Sequence, residues 1–260
     1  MADSKLKVDI RRKCILDELR QNGKVYVTEL SRTLNVTPVT IRNDLDALEE
    51  NGQLIRMNGG AIWRGGNSAR LGQTSIAGIA QAEEKIAIAK AIAAMIQDGD
   101  TLFINSGTTS QLIAAALKDR SNLNIVTNSL AVAVAFEHVS SFRVIMLGGE
   151  LNTKYGFTYG SDAQEKLIHY HADWAILSVD GVSYKNGITT YHAEEAVIDQ
   201  MMINGASQVL IAVDHTKIGH AGFMKVCDCT PRIQVVTDRY INSAAHTELL
   251  ENGIAVIECE

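Results

Sequence analysis

The chain has 260 residues, of which 46% are hydrophobic and 21% charged, and its formal net charge is −6. These values are typical of a globular protein with one large or two modest domains, and they exclude a disordered or fibrous chain. No apolar run reaches the roughly 18 residues of a membrane helix. No apolar stretch follows the charged N-terminus either, so we expect a cytoplasmic protein without a membrane partner. The four cysteines form no CxxC pair, and we expect no metal site and no cofactor.

The charge is unevenly distributed along the chain. Residues 1–64 carry 11 basic and 9 acidic side chains, whereas the remainder carries 13 and 21. A slightly basic head on an acidic body is compatible with nucleic-acid binding by the head alone. The stretch from Arg64 to Ala80 is rich in Gly, Ser and Ala and marks a boundary. We therefore predict one domain over residues 1–63, a linker over 64–82 and a second domain over 83–260.

Three helices are predicted in the first domain. Apolar residues at helical spacing between Asp9 and Arg20 predict the first, with Ile10, Cys14, Ile15 and Leu19 facing the core. Val27 to Leu34 predicts the second, with Leu30 and Leu34 inward and Thr28 as its N-cap. Thr37-Pro38 predicts the start of the third, since Thr caps a helix and Pro suits its first position; its buried stripe is Ile41, Leu45 and Leu48.

A β-hairpin follows the three helices, with strands over residues 54–57 and 61–63 joined by Asn58-Gly59-Gly60. Three helices and a hairpin in this order predict a winged helix-turn-helix, whose third helix enters the major groove of DNA. The residues expected to contact bases or phosphates are Arg11, Arg12, Thr37, Pro38, Thr40, Arg42, Asn43, Arg56 and Asn58. The alternative is a small helical module that binds another protein.

The first domain resembles the DNA-binding domain of the DeoR family of bacterial sugar-metabolism regulators. The resemblance runs through Arg12, Ile15-Leu16, Leu30, Leu34, Val36, Thr40-Ile41-Arg42, Asp44-Leu45, Leu48-Glu49, Gly52, Leu54, Arg56 and Gly59-Gly60-Ala61. Two residues on the expected DNA face depart from the family pattern. Asn43 stands where a second arginine is common, and Asn58 stands where histidine is common, so the resemblance leaves the operator sequence open.

The second domain alternates predicted helices with short apolar strands. Strands that are apolar throughout and separated by helices predict a mostly parallel sheet covered on both faces. Ligands of such sheets bind beyond the carboxyl ends of the strands. Small and polar residues follow five predicted strands there. The residues among them that we expect to bind the effector are Ser106, Gly107, Thr108, Thr109, Ser110, Asn128, Ser129, Gly148, Gly149, Asp180, Gly181 and Lys217. We expect the same of Glu195, which lies at a predicted helix start.

The segment Ser106 to Ser110 carries the clearest chemistry of this set. A Gly-containing turn at a helix start presents backbone N–H groups and hydroxyls, which suits a phosphate group. Lys217 adds a point charge for phosphate or carboxylate. Each motif also has an ordinary structural interpretation: a capped helix for Gly107-Thr108-Thr109, a turn for Asp180-Gly181, and helix-dipole partners for Glu194 and Glu195.

The second domain also resembles the DeoR-type effector domain, which is similar to ribose-5-phosphate isomerase and glucosamine-6-phosphate deaminase. The resemblance runs through Asp98-Gly99-Asp100, Ser106 to Thr109, Val126 to Ser129, Leu147 to Gly149, Asp180-Gly181, Gly187 to Thr190, Glu195-Ala196 and Asp214 to Gly219. It implies that residues 106–110 hold a phosphate and that Asp180, Glu195 and Lys217 line the sugar end. His215, and Tyr191-His192 where Pro or Asn is frequent, depart from the family pattern.

Two functions fit these observations. The first is a transcriptional regulator, expected to be a repressor and not an enzyme, whose binding to double-stranded operator DNA is controlled by a phosphorylated sugar. Since one small head makes few base contacts, it is expected to act as a dimer or tetramer. The second is a sugar-phosphate isomerase or deaminase with a DNA-binding head, in which Glu195 or Asp180 is the general base. The two-domain arrangement favours the regulator.

Overall fold

The computed structural model describes residue 8 and residues 11–19, 24–50, 54–57, 59–63 and 79–260. The described residues form two compact units, one that includes Ala80 and the residues before it and one that runs from Gln81 to Glu260. Asn58 and residues 64–78 of the predicted linker lie outside the described residues. No helix in the described part of the chain is long and apolar enough to cross a membrane.

The first unit consists of helices and a small antiparallel sheet. Its elements in chain order are α1 (residues 11–19), β1 (Lys24–Tyr26), α2 (Val27–Thr33), α3 (Pro38–Glu50), β2 (Leu54–Met57) and β3 (Gly60–Trp63). Strand β3 pairs with both β1 and β2. This is the predicted winged helix-turn-helix with one additional strand, β1, that the sequence analysis did not predict.

The core of the first unit corrects two details of the sequence analysis. Cys14 is exposed, and Leu16 is buried in its place, since Leu16 lies nearer the centre of the helix face that Ile15 and Leu19 define. Thr28 lies within α2 and does not cap it. The chain enters α2 directly from β1, and the Val27 N–H donates to Gly59 O at 2.8 Å, so the hairpin turn holds this helix start.

The predicted buried stripe of α3 is confirmed. Ile41 and Leu45 have no exposed surface and Leu48 is 3% exposed. These three side chains pack with residues of α1 and α2 in one hydrophobic cluster. Because this face of α3 is occupied by the core, the polar residues of the opposite face are directed to solvent.

The second unit is built on a seven-stranded sheet. Its helices are α4 (Ala82–Met95), α5 (Thr108–Ala116), α6 (Leu130–Ala135), α7 (Ser161–Leu167), α8 (Ala193–Gly205) and α9 (Ser243–Glu251), and the strands of the sheet are β4 (Thr101–Ile104), β5 (Asn124–Thr127), β6 (Arg143–Met146), β9 (Ala172–Leu177), β12 (Ala206–Ala212), β14 (Ile233–Asp238) and β15 (Ala255–Cys259). Their order is β15-β14-β12-β9-β4-β5-β6, and every pairing is parallel.

Two smaller antiparallel sheets were not predicted. A hairpin is formed by β7 (Glu150–Asn152) and β8 (Phe157–Tyr159), and a three-stranded sheet has the order β10 (Gly181–Ser183), β11 (Gly187–Thr190) and β13 (Met224–Cys227). Both lie after strands of the main sheet in the chain. They therefore supply side chains that the analysis of strand ends did not consider.

The main sheet is covered on both faces, as the apolar strands predict. Along β4, Phe103 belongs to one hydrophobic cluster, whereas Leu102 and Ile104 belong to the other. Alternate residues of β9 divide in the same way: Leu177 joins Phe103, and Ile176 joins Leu102. This alternation is expected for strands buried between two layers. It confirms the α/β class.

The strand order reverses between β4 and β9. From β4 the chain continues to β5 and β6 on one side, and then returns to place β9, β12, β14 and β15 on the other. At such a reversal the loops after the two central strands run in opposite directions and leave a crevice beyond their carboxyl ends. The crevice between the ends of β4 and β9 is therefore the expected ligand site.

Candidate functional site

The outward face of α3 carries the side chains expected to read DNA. Arg42 and Asn43 are exposed, as is Val39, at 61%. Thr37 begins the helix as predicted: its Oγ1 accepts from the backbone N–H of Thr40 at 3.2 Å, and the two hydroxyls lie 2.9 Å apart. The first turns of α3 therefore present an arginine and an amide to solvent, which are the side chains that pair with guanine and adenine.

The other arginines of the predicted set are held within the unit. The Nε atoms of Arg11 and Arg12 both donate to Asp44, a buried residue of α3, with 3.0 Å from Arg12 Nε to Asp44 Oδ1. Arg56 Nε donates to Asp46 Oδ1 at 2.9 Å, and its Nη1 donates to Gly60 O at 2.6 Å. These pairs join α1 and the hairpin to α3. A phosphate contact by the remaining guanidinium N–H groups stays a prediction.

In the second unit, Asn105 joins the ends of the two central strands. Its Nδ2 donates to Ser178 O at 2.9 Å, and its Oδ1 accepts from the Ser178 N–H at 2.9 Å. The same Oδ1 accepts from Ser110 Oγ of α5 at 2.9 Å, and Nδ2 also donates to Asp199 Oδ1 of α8 at 3.0 Å. One buried amide thus fixes β4, β9, α5 and α8 around the crevice.

Two cavities open at this crevice. The larger, of about 420 Å³, is lined by Ser106, Gly107, Thr108, Gln111, Lys154, Tyr155, Phe157, Ser178, Val179, Asp180, Thr190, Tyr191, His192 and Glu195. The smaller, of about 140 Å³, is lined by Lys85, Gly107, Thr108, Thr109, Ser178, Val179, Asp180, Ala212, Val213, Asp214 and Lys217. Residues 107–108 and 178–180 belong to both linings. The larger volume is in the range of small-molecule sites, roughly 300–1,000 Å³.

The loop after β4 has the geometry of an anion site. Gly107 is the N-cap of α5, and no side chain among the described residues caps this helix. The first N–H groups of a helix have no partner inside it, and the helix dipole adds partial positive charge there. Gly107 has φ +130°, and a Cβ at this position would lie 3.0 Å from Ser178 Oγ. Glycine therefore keeps the loop close to the end of β9.

Lysines flank the smaller cavity. Lys217 Nζ lies 3.7 Å from Asp180 Oδ1, and Lys85 Nζ lies 3.5 Å from Asp214 Oδ2. Lys85 is 8% exposed, and Asp214 is 1% exposed. The two pairs come from α4, the end of β9 and the segment after β12. Each pair is formally neutral, and the two pairs place ammonium and carboxylate groups together at the smaller cavity.

A carboxyl group closes the larger cavity. Glu195, on the first turn of α8, accepts from Ser106 Oγ and, at 3.1 Å, from Thr190 Oγ1. Burial raises the pKa of the Glu195 carboxyl, an effect that these two hydrogen bonds partly offset. The buried Asp199 lies one helical turn further along α8, and burial together with the charge of Glu195 raises its pKa well above the ordinary value. The larger cavity therefore has a carboxyl group that accepts from hydroxyls, whereas the smaller cavity has two lysine–aspartate pairs.

Both halves of the chain match one known family. Residues 80–239 match the DeoR C terminal sensor domain, and residues 11–64 match the DeoR-like helix-turn-helix domain. The chain belongs to the DeoR family. It is therefore a DNA-binding transcriptional regulator, as the sequence predicted.

Relatives match over nearly the whole length. The chain is 33% identical to the HTH-type transcriptional repressor GlcR of Bacillus subtilis over 252 residues, covering 95% of this chain and 94% of that protein. It is 32% identical to the glycerol-3-phosphate regulon repressor of Escherichia coli, with coverages of 87% and 94%. Among solved structures, ribose 5-phosphate isomerase A of Methanocaldococcus jannaschii aligns at 14% identity and a TM-score of 0.39 over 53% of this chain and 55% of that chain.

The predicted effector residues of this DeoR-family sensor domain fall into two groups. Those that line a cavity are Ser106, Gly107, Thr108, Thr109, Asp180, Glu195 and Lys217. Those that line neither of the two cavities are Ser110, Asn128, Ser129, Gly148, Gly149 and Gly181. Ser110 instead donates to Asn105, and Gly181 packs with too little room for a side chain, 2.6 Å from His220 O to a built Cβ. Direct effector contact by the second group has no support in this geometry.

The residues after β5 and β6 hold the β7–β8 hairpin. Asn128 Nδ2 donates to Thr158 O at 3.1 Å, and Asn128 O accepts from the Thr158 N–H at 2.8 Å. Ser129 caps α6 through the Val132 N–H. A Cβ on Gly149 would lie 2.3 Å from Tyr159 O, so only glycine permits this approach of the hairpin. These residues position Lys154, Tyr155 and Phe157 at the larger cavity.

The other lining residues were not among the expected effector-binding residues. These are Lys85, Gln111, Lys154, Tyr155, Phe157, Ser178, Val179, Thr190, Tyr191, His192, Ala212, Val213 and Asp214. For two of these residues the sequence did contain a signal, because Tyr191-His192 departs from the family pattern directly after Gly187 to Thr190. For the hairpin no signal existed, because its strands have only three residues each.

Proposed function

We propose that this protein is a repressor of a carbohydrate-use operon and that a phosphorylated sugar controls its binding to operator DNA. The observation that carries the proposal is the crevice between β4 and β9. An uncapped helix start, two lysines and a buried carboxyl converge there in one chain with a helix-turn-helix. The names of the relatives, which include the lactose phosphotransferase system repressor of Lactococcus lactis at 32% identity, support the choice of carbohydrates.

The phosphate and the sugar take different ends of the crevice in this proposal. The phosphate lies by the start of α5 and the smaller cavity, where Lys217 and Lys85 supply positive charge. The sugar lies in the larger cavity, where Asp180 and Glu195 accept from its hydroxyl groups. The smaller cavity also contains Asp180 and Asp214, but each of these is paired with a lysine, whereas Glu195 accepts from hydroxyl groups. A phosphate is therefore repelled less at the smaller cavity than beside Glu195.

We propose α3 as the readout helix and a homo-oligomer, a dimer or tetramer, as the form that binds DNA in the cytoplasm. A single head presents few side chains to base edges, so two heads at a fixed spacing are needed for a specific site. Effector binding would then change the arrangement of the subunits and thereby the affinity for operator. Sedimentation with and without the selected duplex tests the oligomer directly.

A DNA-binding experiment tests the regulator. An operator is selected from a random duplex library, and its binding is followed by fluorescence anisotropy with added sugar phosphates. Arg42→Ala is expected to abolish specific binding, and Arg42→Lys to retain non-specific binding because it keeps the charge without the bidentate geometry. Thr108→Val is expected to keep operator binding and lose the response to sugar phosphate. Unchanged selection by Arg42→Ala would refute the readout helix.

The alternative, a sugar-phosphate isomerase or deaminase, rests on Glu195. Its raised pKa and its place in the cavity are features of a general base. Both of its oxygens, however, accept from protein hydroxyls, of Ser106 and Thr190. We propose that Glu195 binds a sugar hydroxyl and that the protein has no turnover. Robust turnover of pentose, hexose or amino-sugar phosphates would favour the enzyme instead.

A further inference from the structure

The turn of the β7–β8 hairpin is held in a fixed shape at the larger cavity. Asn152 Oδ1 accepts from the backbone N–H groups of Lys154 and Tyr155, at 3.2 Å each. Gly156 closes the turn with φ +70°, and its N–H donates to Asn152 O at 2.8 Å. The position of Tyr155 is therefore determined by the backbone of the turn before any ligand arrives.

An aromatic corner results from this placement. The rings of Tyr155 and His192 have centroids 4.4 Å apart and are tilted by 50°. Below them Phe157 is fully buried, with its centroid 6.1 Å from that of His192. All three residues line the cavity that also contains Asp180 and Glu195. One cavity thus combines an aromatic surface with hydroxyl acceptors.

Part of Tyr155 remains accessible to a ligand. Half of its side chain is exposed, 50%, although it lies at a cavity. Lys154 Nζ lies 5.0 Å from its ring centroid, on an exposed and flexible side chain that can move to a polar ligand group. Removing aromatic surface of this kind from water is favourable, and the backbone that carries the ring loses little conformational freedom because the turn is already ordered.

A sugar in its ring form has the surface that matches such a corner. Its axial C–H groups form an apolar face, and its hydroxyl groups project from the edge. The corresponding sugar alcohol, which has two more hydrogen atoms and cannot close a ring, has no fixed apolar face and must lose rotational freedom on binding. An aromatic face beside carboxyl acceptors therefore discriminates between the two chemical forms.

We propose that Tyr155, backed by His192, selects the ring form of the phosphorylated sugar over open-chain polyol phosphates. This inference rests on the proposed function, because it names the class of effector for the same cavity. Tyr155 and His192 are then specificity-determining residues. The phosphate is recognised separately, at the start of α5.

Matched ligand pairs test the inference by titration calorimetry on the full chain. The pairs are glucose 6-phosphate with glucitol 6-phosphate, galactose 6-phosphate with galactitol 6-phosphate, and ribose 5-phosphate with ribitol 5-phosphate. The wild type is expected to prefer the ring member of the pair that it binds best. Tyr155→Ala is expected to weaken that ring ligand about tenfold and its polyol partner less than about twofold, the size of one aromatic contact.

Three variants separate the contribution of the aromatic ring of Tyr155 from the contributions of side-chain bulk and of the Lys154 charge. Tyr155→Phe keeps the ring and is expected to keep the preference, whereas Tyr155→Leu keeps bulk without a ring and is expected to lose it. Lys154→Met removes the charge and is expected to leave the preference unchanged. Tyr184→Ala, at a tyrosine 44% exposed that lines neither cavity, is the matched control.

The outcomes are distinguishable. A wild type that binds sugar phosphates but prefers the polyol, or a Tyr155→Ala variant that weakens both members equally, overturns the inference and leaves the proposed function standing. Loss of the preference in Lys154→Met assigns it to the charge and also overturns the inference. A wild type that binds no sugar or polyol phosphate overturns the proposed function together with the inference.

Discussion

The carboxyl group of Asp199 gives a stability prediction with a definite sign. The residue is fully buried on α8; its Oδ1 accepts from Asn105 Nδ2 at 3.0 Å, and its Oδ2 has no hydrogen-bond partner among the described residues. Burial, and then the nearby charge of Glu195, raises the pKa of Asp199 well above its ordinary value. We predict that Asp199→Asn removes a pH-dependent loss of stability.

The magnitude follows from proton linkage. When the folded-state pKa of an acid is above its unfolded value, the folded state binds more protons, so the free energy of unfolding decreases as pH rises between the two values. The contribution of Asp199 to the free energy of unfolding is therefore largest below its unfolded pKa of about 3.9. Above that pH the free energy of unfolding falls by about 1.4 kcal/mol per pH unit until the folded pKa of Asp199 is reached. Asparagine has no such loss.

The amide has its own cost. Neither N–H group of an amide at the Oδ2 position has an acceptor among the described residues, which is one more unpaired buried donor than the protonated carboxyl has and costs about 1–3 kcal/mol at any pH. The variant is therefore expected to be less stable than wild type near pH 4 and to overtake it as pH rises. The crossing point falls one to two pH units above the unfolded pKa, by the slope of about 1.4 kcal/mol per unit.

Urea unfolding between pH 4.5 and 8.5 measures this difference. In a Trp63→Phe background, the fluorescence of Trp174 on β9 reports on the sensor domain alone. The exposed Asp119 provides the control, since Asp119→Asn is expected to change stability by less than about 0.5 kcal/mol at every pH. Parallel stability curves for Asp199→Asn and wild type would mean that Asp199 is ionised in the folded protein, and would refute the reasoning.

Three further perturbations have expected outcomes. Gly107→Ala places a Cβ 3.0 Å from Ser178 Oγ at φ +130°, and calorimetry should show sugar-phosphate affinity reduced about tenfold or more. Asp44→Ala leaves the Arg11 guanidinium without its buried partner, and thermal unfolding should show the DNA-binding domain destabilised by about 1–3 kcal/mol. Phe103→Ala empties a fully buried site of the main sheet and should cost about 3–5 kcal/mol in urea unfolding; a smaller loss in either stability measurement would contradict the packing described.

The elements of the sensor domain were predictable because their signals are local. Each strand of the main sheet is a short apolar run, and each helix between them begins near a polar or small residue. The strand Asn124–Thr127, for example, has two apolar residues, Ile125 and Val126, between polar ends, and its last three residues are buried. Strand β1 and the β7–β8 hairpin were not predictable in this way, because three-residue strands such as Glu150–Asn152 carry too little pattern to stand out.

The side chains of the crevice depend on contacts between distant parts of the chain. Asn105 bonds to Ser178, 73 residues later, and to Asp199, 94 residues later. An asparagine at a strand end and an aspartate in a helix have no sequence signal that links them. Their roles become visible only once β4 and β9 are known to be neighbours in the sheet.

The strand order explains why some predicted residues line the crevice and others do not. Small or polar residues follow β5 and β6 as they follow β4, and Asn128 was expected to bind the effector as Ser106 was. In the sheet, however, β4 lies beside β9 and β12 follows, whereas β5 and β6 lie on the other side of β4. Loops after β4, β9 and β12 therefore meet the two cavities, and those after β5 and β6 hold the hairpin that supplies Tyr155. Whether a polar residue at a strand end lines a cavity or holds a neighbouring segment therefore depends on where its strand lies relative to the reversal of strand order, and that position is set by the topology.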